Sequence, residues 1–166
     1  MRGFFGIGAE EISKPMNLGA LFRTAHAFGA SFVFSVNANA RIRDVNRADT
    51  SKTTEHVPYY AWPSITDMRL PEQCVLVGIE ITDTAIELPR FRHPRNAAYV
   101  LGREKGSLSP AMLEQCRFVV KIPTKFSLNV GLAGALVMYD RMLTLGNFAD
   151  RPVGGHRQTH QPDESS

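Results

Sequence analysis

The chain has 166 residues, 43% of them hydrophobic and 21% charged, which is length enough for one domain with a real core and an ordinary globular composition. No stretch approaches the 18 or so apolar residues of a membrane span, and the apolar run near Met1 is too short for a signal peptide; the expectation is a cytoplasmic protein with no membrane partner. The net charge is +3, carried by 14 arginines against 5 lysines, and arginine's rigid fork suits phosphate and base stacking better than lysine does.

Residues 3–9 read as a short apolar strand. Ser13-Lys14-Pro15 marks a helix start with a candidate cap, because proline's missing N–H costs nothing in the first turn. Leu18, Leu21, Phe22, Ala25 and Phe28 follow at helical spacing, and Gly29 stops the helix. Residues 31–36 form a buried strand, 37–58 a long polar loop with one helical turn at most, and 64–69 a short helix. The near-continuous apolar runs at 74–81, 97–101 and 118–122 predict strands covered on both faces. A helix over 109–116 lies between the last two, with Ser109 as its cap and Pro110 in its first position. The closing helix is expected from about Ser127 to Leu145, followed by Gly146. The domain is placed at 1–148, and 149–166 is expected to be a disordered tail because it holds almost no apolar residues. This alternation predicts an α/β fold, a mainly parallel sheet flanked by helices. Such sheets bind ligands beyond their carboxyl ends, here the turns after residues 9, 80, 102 and 122.

Three segments at those turns carry candidate chemistry. In Asn17-Leu18-Gly19-Ala20-Leu21-Phe22-Arg23-Thr24, Gly19 and Arg23 are one helical turn apart, so Arg23 projects beside bare backbone, where it could hold a phosphate or polarise a hydroxyl. Taken alone, the segment reads first as an amphipathic helix with one surface arginine. In Leu101-Gly102-Arg103-Glu104-Lys105-Gly106, two glycines bracket three charges where a strand ends, in either a ligand loop or an ordinary turn. In Ile122-Pro123-Thr124-Lys125-Phe126-Ser127-Leu128-Asn129-Val130, a strand stops at proline and a helix begins with polar side chains and free N–H groups. Gly131, Ala133, Gly134 and Ala135 leave that helix thin on one side, for core packing or for contact with a second subunit. The basic clusters Arg41, Arg43, Arg47 and Arg90, Arg92, Arg95 are either a solvated surface or a nucleic-acid face. Cys74 and Cys116 are too isolated for a disulfide framework or zinc cage and are expected as buried thiols. His156 and His160 lack an intervening glutamate and lie in the tail, so no metal is expected. Gly6-Ile7-Gly8 lacks the third glycine of a dinucleotide fingerprint, which argues against a Rossmann enzyme.

Taken in order, the three segments resemble the motifs of the SpoU (TrmH-like) branch of the SPOUT methyltransferases, over roughly residues 4–145. The first motif is complete as Asn17, Gly19, Arg23 and Thr24. The second, Gly-x-Glu-x-x-Gly in most members, stands as Gly102, Glu104 and Gly106, one residue shorter. The third stands as Ile122-Pro123-Thr124 and Ser127-Leu128-Asn129-Val130, with a short intervening loop that lacks the usual glycine.

The resemblance implies transfer of a methyl group from S-adenosyl-L-methionine to a ribose 2′-hydroxyl of RNA, with S-adenosyl-L-homocysteine as product. It also implies a parallel α/β domain with a deep C-terminal trefoil knot, a homodimer, and an active site drawn from both subunits. The chain would be the minimal form without an added RNA-binding domain, which makes tRNA the first expectation for the substrate. By the same resemblance Arg23, Asn17 and Glu104 are the catalytic candidates. Arginine is a poor proton acceptor, so Arg23 is expected to stabilise the developing alkoxide and fix the adjoining phosphate, with Asn17 and Glu104 positioning it. Ile79, Gly102 and Ile122 would hold the cofactor through their backbones, and Ser127 and Asn129 would shape its pocket. Arg23, Arg41, Arg43, Arg90 and Arg92 are the RNA-binding candidates. The alternatives are the same reaction on rRNA, or a non-catalytic RNA-binding protein that keeps the fold.

Overall fold

The computed structural model describes residues 3–39, 42, 56–103 and 106–151. Among the described residues seven strands form one sheet: β1 (Phe4–Glu10), β2 (Phe32–Val36), β3 (Tyr59–Trp62), β4 (Val75–Ile79), β5 (Ile86–Glu87), β6 (Asn96–Leu101) and β7 (Phe118–Lys121). The helices lying wholly among the described residues are α1 (Pro15–Phe28), α2 (Pro110–Gln115) and α3 (Val130–Leu145), with short 3₁₀ turns at Ile65–Asp67 and Leu88–Arg90. Every pairing is parallel, and the spatial order is β3-β2-β1-β6-β4-β7-β5. The last two long strands are insertions: β6 enters between β1 and β4, and β7 between β4 and β5. The carboxyl ends of β4, β6 and β7 therefore lie side by side, and the turns that follow them converge.

Side-chain alternation along the strands builds two cores. Phe5, Ile7, Val33, Val77, Tyr99 and Leu101 face α1 and α3, where they meet Leu18, Leu21, Phe22, Val137 and Met138. Phe32, Phe34, Val36, Leu76, Ala98 and Val100 face the other way and pack on Leu108 and Met112 of the α2 segment. The sheet is thus a middle layer, and its inner strands read as unbroken apolar runs because both faces are covered.

The helix ends follow local chemistry. At α1 the cap position falls to Lys14, whose side chain makes no capping bond, and Pro15 pre-sets the first turn. Gly29 closes the helix at φ 76°, and Ala30 N–H returns to the Ala25 carbonyl at 2.9 Å. Ser109 caps α2, its Oγ accepting from Met112 N–H at 3.1 Å. The closing helix begins three residues later than the sequence suggests. Ser127 and Leu128 stay in the loop, and Asn129 is the cap, its Oδ1 accepting from Gly131 N–H at 2.8 Å.

Strands β3 and β5 are absent from the sequence reading. β3 is bounded by Pro58 and Pro63, which signal a loop, but an edge strand tolerates proline at its ends. β5 is two residues long and owes its place to its pairing with β7. The expected helix over 64–69 shrinks to the 3₁₀ turn Ile65–Asp67. Gly6 and Gly8 lie inside β1 rather than at a phosphate-cradling turn.

The thin side of α3 faces α1 of the same chain. A Cβ on Gly131 would stand 3.1 Å from the Ala20 methyl, and one on Gly134 would stand 2.8 Å from Leu21 Cδ1. The small residues therefore serve packing within the subunit, and the exposed apolar side of α3 is the one bearing Leu132, Leu136 and Tyr139. Residues 152–166 of the expected tail lie outside the described residues.

Candidate active site

An open cleft with a cavity volume of about 80 Å³ lies at the carboxyl ends of β4, β6 and β7. Ile79, Leu101, Ile122 and Val130 supply aliphatic walls, and Gly102, Gly106, Thr124 and Ser127 expose backbone and small polar groups. Four of the five cofactor candidates, Ile79, Gly102, Ile122 and Ser127, thus line one cavity although they are scattered over 49 positions of sequence. The fifth, Asn129, stands at the rim, where its Nδ2 donates to Asn17 Oδ1 at 3.1 Å. That bond ties the start of α1 to the start of α3 across 112 positions.

The loops around the cleft are held by carboxylates. Glu80, which lines it, accepts from Leu108 N–H at 2.7 Å through Oε2 and from Ile81 N–H at 2.9 Å through Oε1. Gly102 passes so close that a Cβ there would sit 3.0 Å from Glu80 Oε2. Glu10, 2% exposed, accepts from Ser109 N–H at 2.7 Å and from its hydroxyl at 2.6 Å, which fixes the start of α2. Arg103, also in the cleft lining, pairs with Glu11 at 2.9 Å and stands 4.0 Å from Glu10. Apart from the local Glu80–Ile81 bond, these interactions anchor the segment after β6 to the ends of β1 and β4. Such a site can hold a flat heteroaromatic group between aliphatic walls while main-chain groups meet its polar edge, and it excludes water from one side.

Sequence reasoning flagged the turn after residue 80 but not Glu80 itself. The signal was there: an acid ending a strand covered on both faces must find donors.

The other candidates are placed elsewhere. Arg23 is exposed on α1 and does not line the cleft of its own chain. Arg90 and Arg92 are exposed on the connection between β5 and β6. Glu104, Arg41 and Arg43 lie outside the described residues.

Cys74 and Cys116 are half-buried, and burial pushes their thiols up to about 11 and about 12, so both are neutral near pH 7 and poor nucleophiles. No group of three or more His, Cys, Asp or Glu side chains is disposed to hold a metal among the described residues.

The opposite end of the sheet carries a buried polar cluster. Arg141, 1% exposed, donates to the carbonyls of Pro94 at 2.6 Å and Arg95 at 2.5 Å and to Tyr99 Oη at 3.0 Å. His93 bridges Tyr99 Oη and Asp140 Oδ2, each at 2.7 Å. Burial holds the His93 imidazole below its ordinary value despite Asp140, and burial pushes Tyr99 up to about 12. The cluster fastens α3 to the start of β6 and contributes nothing to the cleft.

A sequence model of the SpoU rRNA Methylase family matches residues 5–139. The chain is 30% identical over 155 residues to mouse tRNA (guanosine(18)-2′-O)-methyltransferase TARBP1, covering 83% of this chain and 9% of that protein. It is 24% identical over 143 residues to tRNA (guanosine(18)-2′-O)-methyltransferase of Escherichia coli K12, covering 79% of this chain and 59% of that one. The chain therefore spans less than two thirds of the length of either relative. The AdoMet-bound crystal structure of an rRNA methyltransferase from Sinorhizobium meliloti superposes with a TM-score of 0.74 at 18% identity, over 87% of this chain and 58% of that one, and so shares the fold. With the family's model matched from β1 into α3, over well more than half of the sequence, the chain belongs to the SpoU rRNA Methylase family.

Proposed function

We propose that this chain transfers a methyl group from S-adenosyl-L-methionine to a ribose 2′-hydroxyl of RNA, with tRNA as the first candidate substrate. The observation that carries the reading is the convergence of Ile79, Gly102, Ile122 and Ser127 on one cleft, with Asn17 and Asn129 joined at its rim. The residues present fit the cofactor. Aliphatic walls suit an adenine, main-chain groups of the three turns suit its polar edge, and the Glu80 carboxylate suits the hydroxyls or cationic groups of the remainder. When bound, the cofactor supplies an electrophilic methyl on sulfonium, whose leaving group is neutral and needs no acid.

The protein's task is then the nucleophile. Arg23 would hold the phosphate beside the target ribose and stabilise negative charge growing on the 2′-oxygen, a role suited to a permanent cation and a fork of donors. Asn17 and Asn129 would fix the relation of α1 to the cleft, and Glu104 would position the ribose. Arg23 is exposed and does not line the cleft of its own chain, which supports an active site completed by a second copy. The exposed apolar strip of Leu128, Leu132, Leu136 and Tyr139, with Met16 on α1, supports a homodimer built on the outer sides of α1 and α3. The trefoil threading belongs to the same reading. It is supported by the return of the chain from β7 across β4 and β6, so that α3 packs on α1. Exposed Arg90 and Arg92 would extend the RNA contact, and the site of action would be the cytoplasm. No helix among the described residues is long and apolar enough to cross a membrane.

A ribosomal substrate is the second reading. Of the relatives, some are named for tRNA and others for 23S rRNA. Arg23→Ala decides the central assignment: calorimetry should show S-adenosylmethionine affinity within about threefold of wild type while methyl transfer to total RNA falls by about a hundredfold or more. Transfer at near wild-type rate would overturn it.

A further inference from the structure

The sheet carries an aromatic shelf at its β3 edge, on the face opposite α1. Tyr59 points toward α1, where its ring meets Phe22 at 5.1 Å, so Tyr60 and Trp62 share the other face. Their rings stack with centroids 5.9 Å apart and planes 10° apart. Phe32 meets Tyr60 edge-on at 6.2 Å, and Phe34 supports Trp62 at 5.5 Å. The two inner rings are buried and hold the outer pair in place, while Tyr60 remains 50% exposed. A cleft of about 310 Å³ runs along the shelf and is also lined by Arg69, Leu70 and Pro71. Arg69 is the charged residue of that lining, and its Nη1 donates to the carbonyls of Thr66 at 2.6 Å and Met68 at 3.0 Å. Both bonds use one nitrogen, so the guanidinium is fixed and most of its fork stays available.

We propose that this shelf docks an unpaired nucleotide of RNA, with the base stacked on the Tyr60–Trp62 pair and the phosphate held by Arg69. An apolar peptide would use the rings and strand the fixed guanidinium, and a simple polyanion would use the guanidinium and ignore the rings. A nucleotide brings a π-face and an anion at adjacent positions. The place in the fold agrees. Trp62 pairs with Val36, and Val36 with Glu10, so the tryptophan end of the shelf reaches the carboxyl edge of the sheet, while Ser31 and Phe32 carry its cleft toward the amino edge. From β3 to β6 is three inter-strand spacings, roughly 14 Å, within reach of a strand whose ribose sits at the cleft. The proposal rests on the RNA reading above and extends it to nucleotides flanking the target.

Trp62 is the sole tryptophan of the chain, so its emission reports on the shelf alone. Titration of the full chain with hexaadenylate RNA should quench that emission saturably. Tyr60→Leu and Arg69→Gln should each weaken the interaction by roughly tenfold. Heparin, a polyanion without bases, should leave the emission unchanged. Quenching by heparin equal to that by RNA, quenching indifferent to both substitutions, or no quenching at all would overturn the proposal. Arg69 is exposed, so Arg69→Gln decides the matter even if Tyr60→Leu fails to fold. Calorimetry with S-adenosylmethionine runs in parallel. Retained cofactor affinity without quenching removes the shelf and leaves the function standing, whereas loss of both in a folded protein removes the function as well.

Discussion

Glu80 shows how one side chain can hold a ligand site together. Its two oxygens accept the Ile81 and Leu108 N–H groups, and so bind the end of β4 to the loop before α2. Glu80→Ala leaves both donors without that acceptor, and a hydrogen bond to a charged group is worth about 1.5–3 kcal/mol. The expected outcome is a roughly tenfold or greater loss of S-adenosylmethionine affinity by calorimetry, with Glu80→Gln intermediate because its amide keeps one acceptor oxygen. Unchanged affinity in Glu80→Ala would show that the loop holds its shape without the carboxylate. Glu80 was legible in the sequence only as an anomaly, an acid closing an apolar run. Its two donors come from its own turn and from a residue 28 positions away, and the second could not be foreseen.

At the scale of elements, the contact between α1 and α3 decides where the motifs meet. The glycines of α3 let its backbone approach Ala20 and Leu21, and Asn129 then reaches Asn17. A Cβ at Gly134 already crowds Leu21 Cδ1 at 2.8 Å and Ile7 Cδ1 at 3.3 Å, and valine adds two methyls more. Overpacking of this kind costs about 1–3 kcal/mol. Gly134→Val should therefore lower the urea midpoint, and Gly134→Ala should lower it less, because alanine regains up to about 1 kcal/mol of helix propensity. A midpoint equal to wild type in Gly134→Val would mean that the two helices are free to separate. Small residues on a helix announce close packing from sequence alone, but not the partner. Here it proved to be the neighbouring helix of the same chain, which moves the proposed dimer contact to the Leu132, Leu136 and Tyr139 side.

For the whole molecule, the cluster at the far end of the sheet couples stability to pH. Burial lowers the His93 pKa in the folded chain below the ordinary 6.5. The unfolded chain then binds the extra proton first, so the stability due to neutral His93 is complete above about pH 6.5 and is lost as pH falls toward the folded value. Thermal midpoints should drop between pH 7.5 and pH 5, and His93→Gln should flatten that drop whatever its effect on the absolute midpoint. An equal slope in the variant would assign the acid sensitivity to other groups. Arg141 anchors the same cluster, and the polar groups it satisfies come from the segment before β6 and from Tyr99 within it.

Legible in the chain alone were the covered parallel sheet, the caps at Ser109 and Gly29, and four candidate turns, after residues 9, 80, 102 and 122, of which the last three line the cleft. These follow from local signals: apolar runs, proline and glycine positions, and polar residues at strand ends. Contacts made only on folding decided that β6 and β7 insert between earlier strands, that Tyr59–Trp62 pairs as an edge strand, and that Arg23 stays outside the lining of its own cleft. Pairing order and side-chain direction depend on contacts between residues far apart in the chain, and no local pattern encodes which distant partner wins.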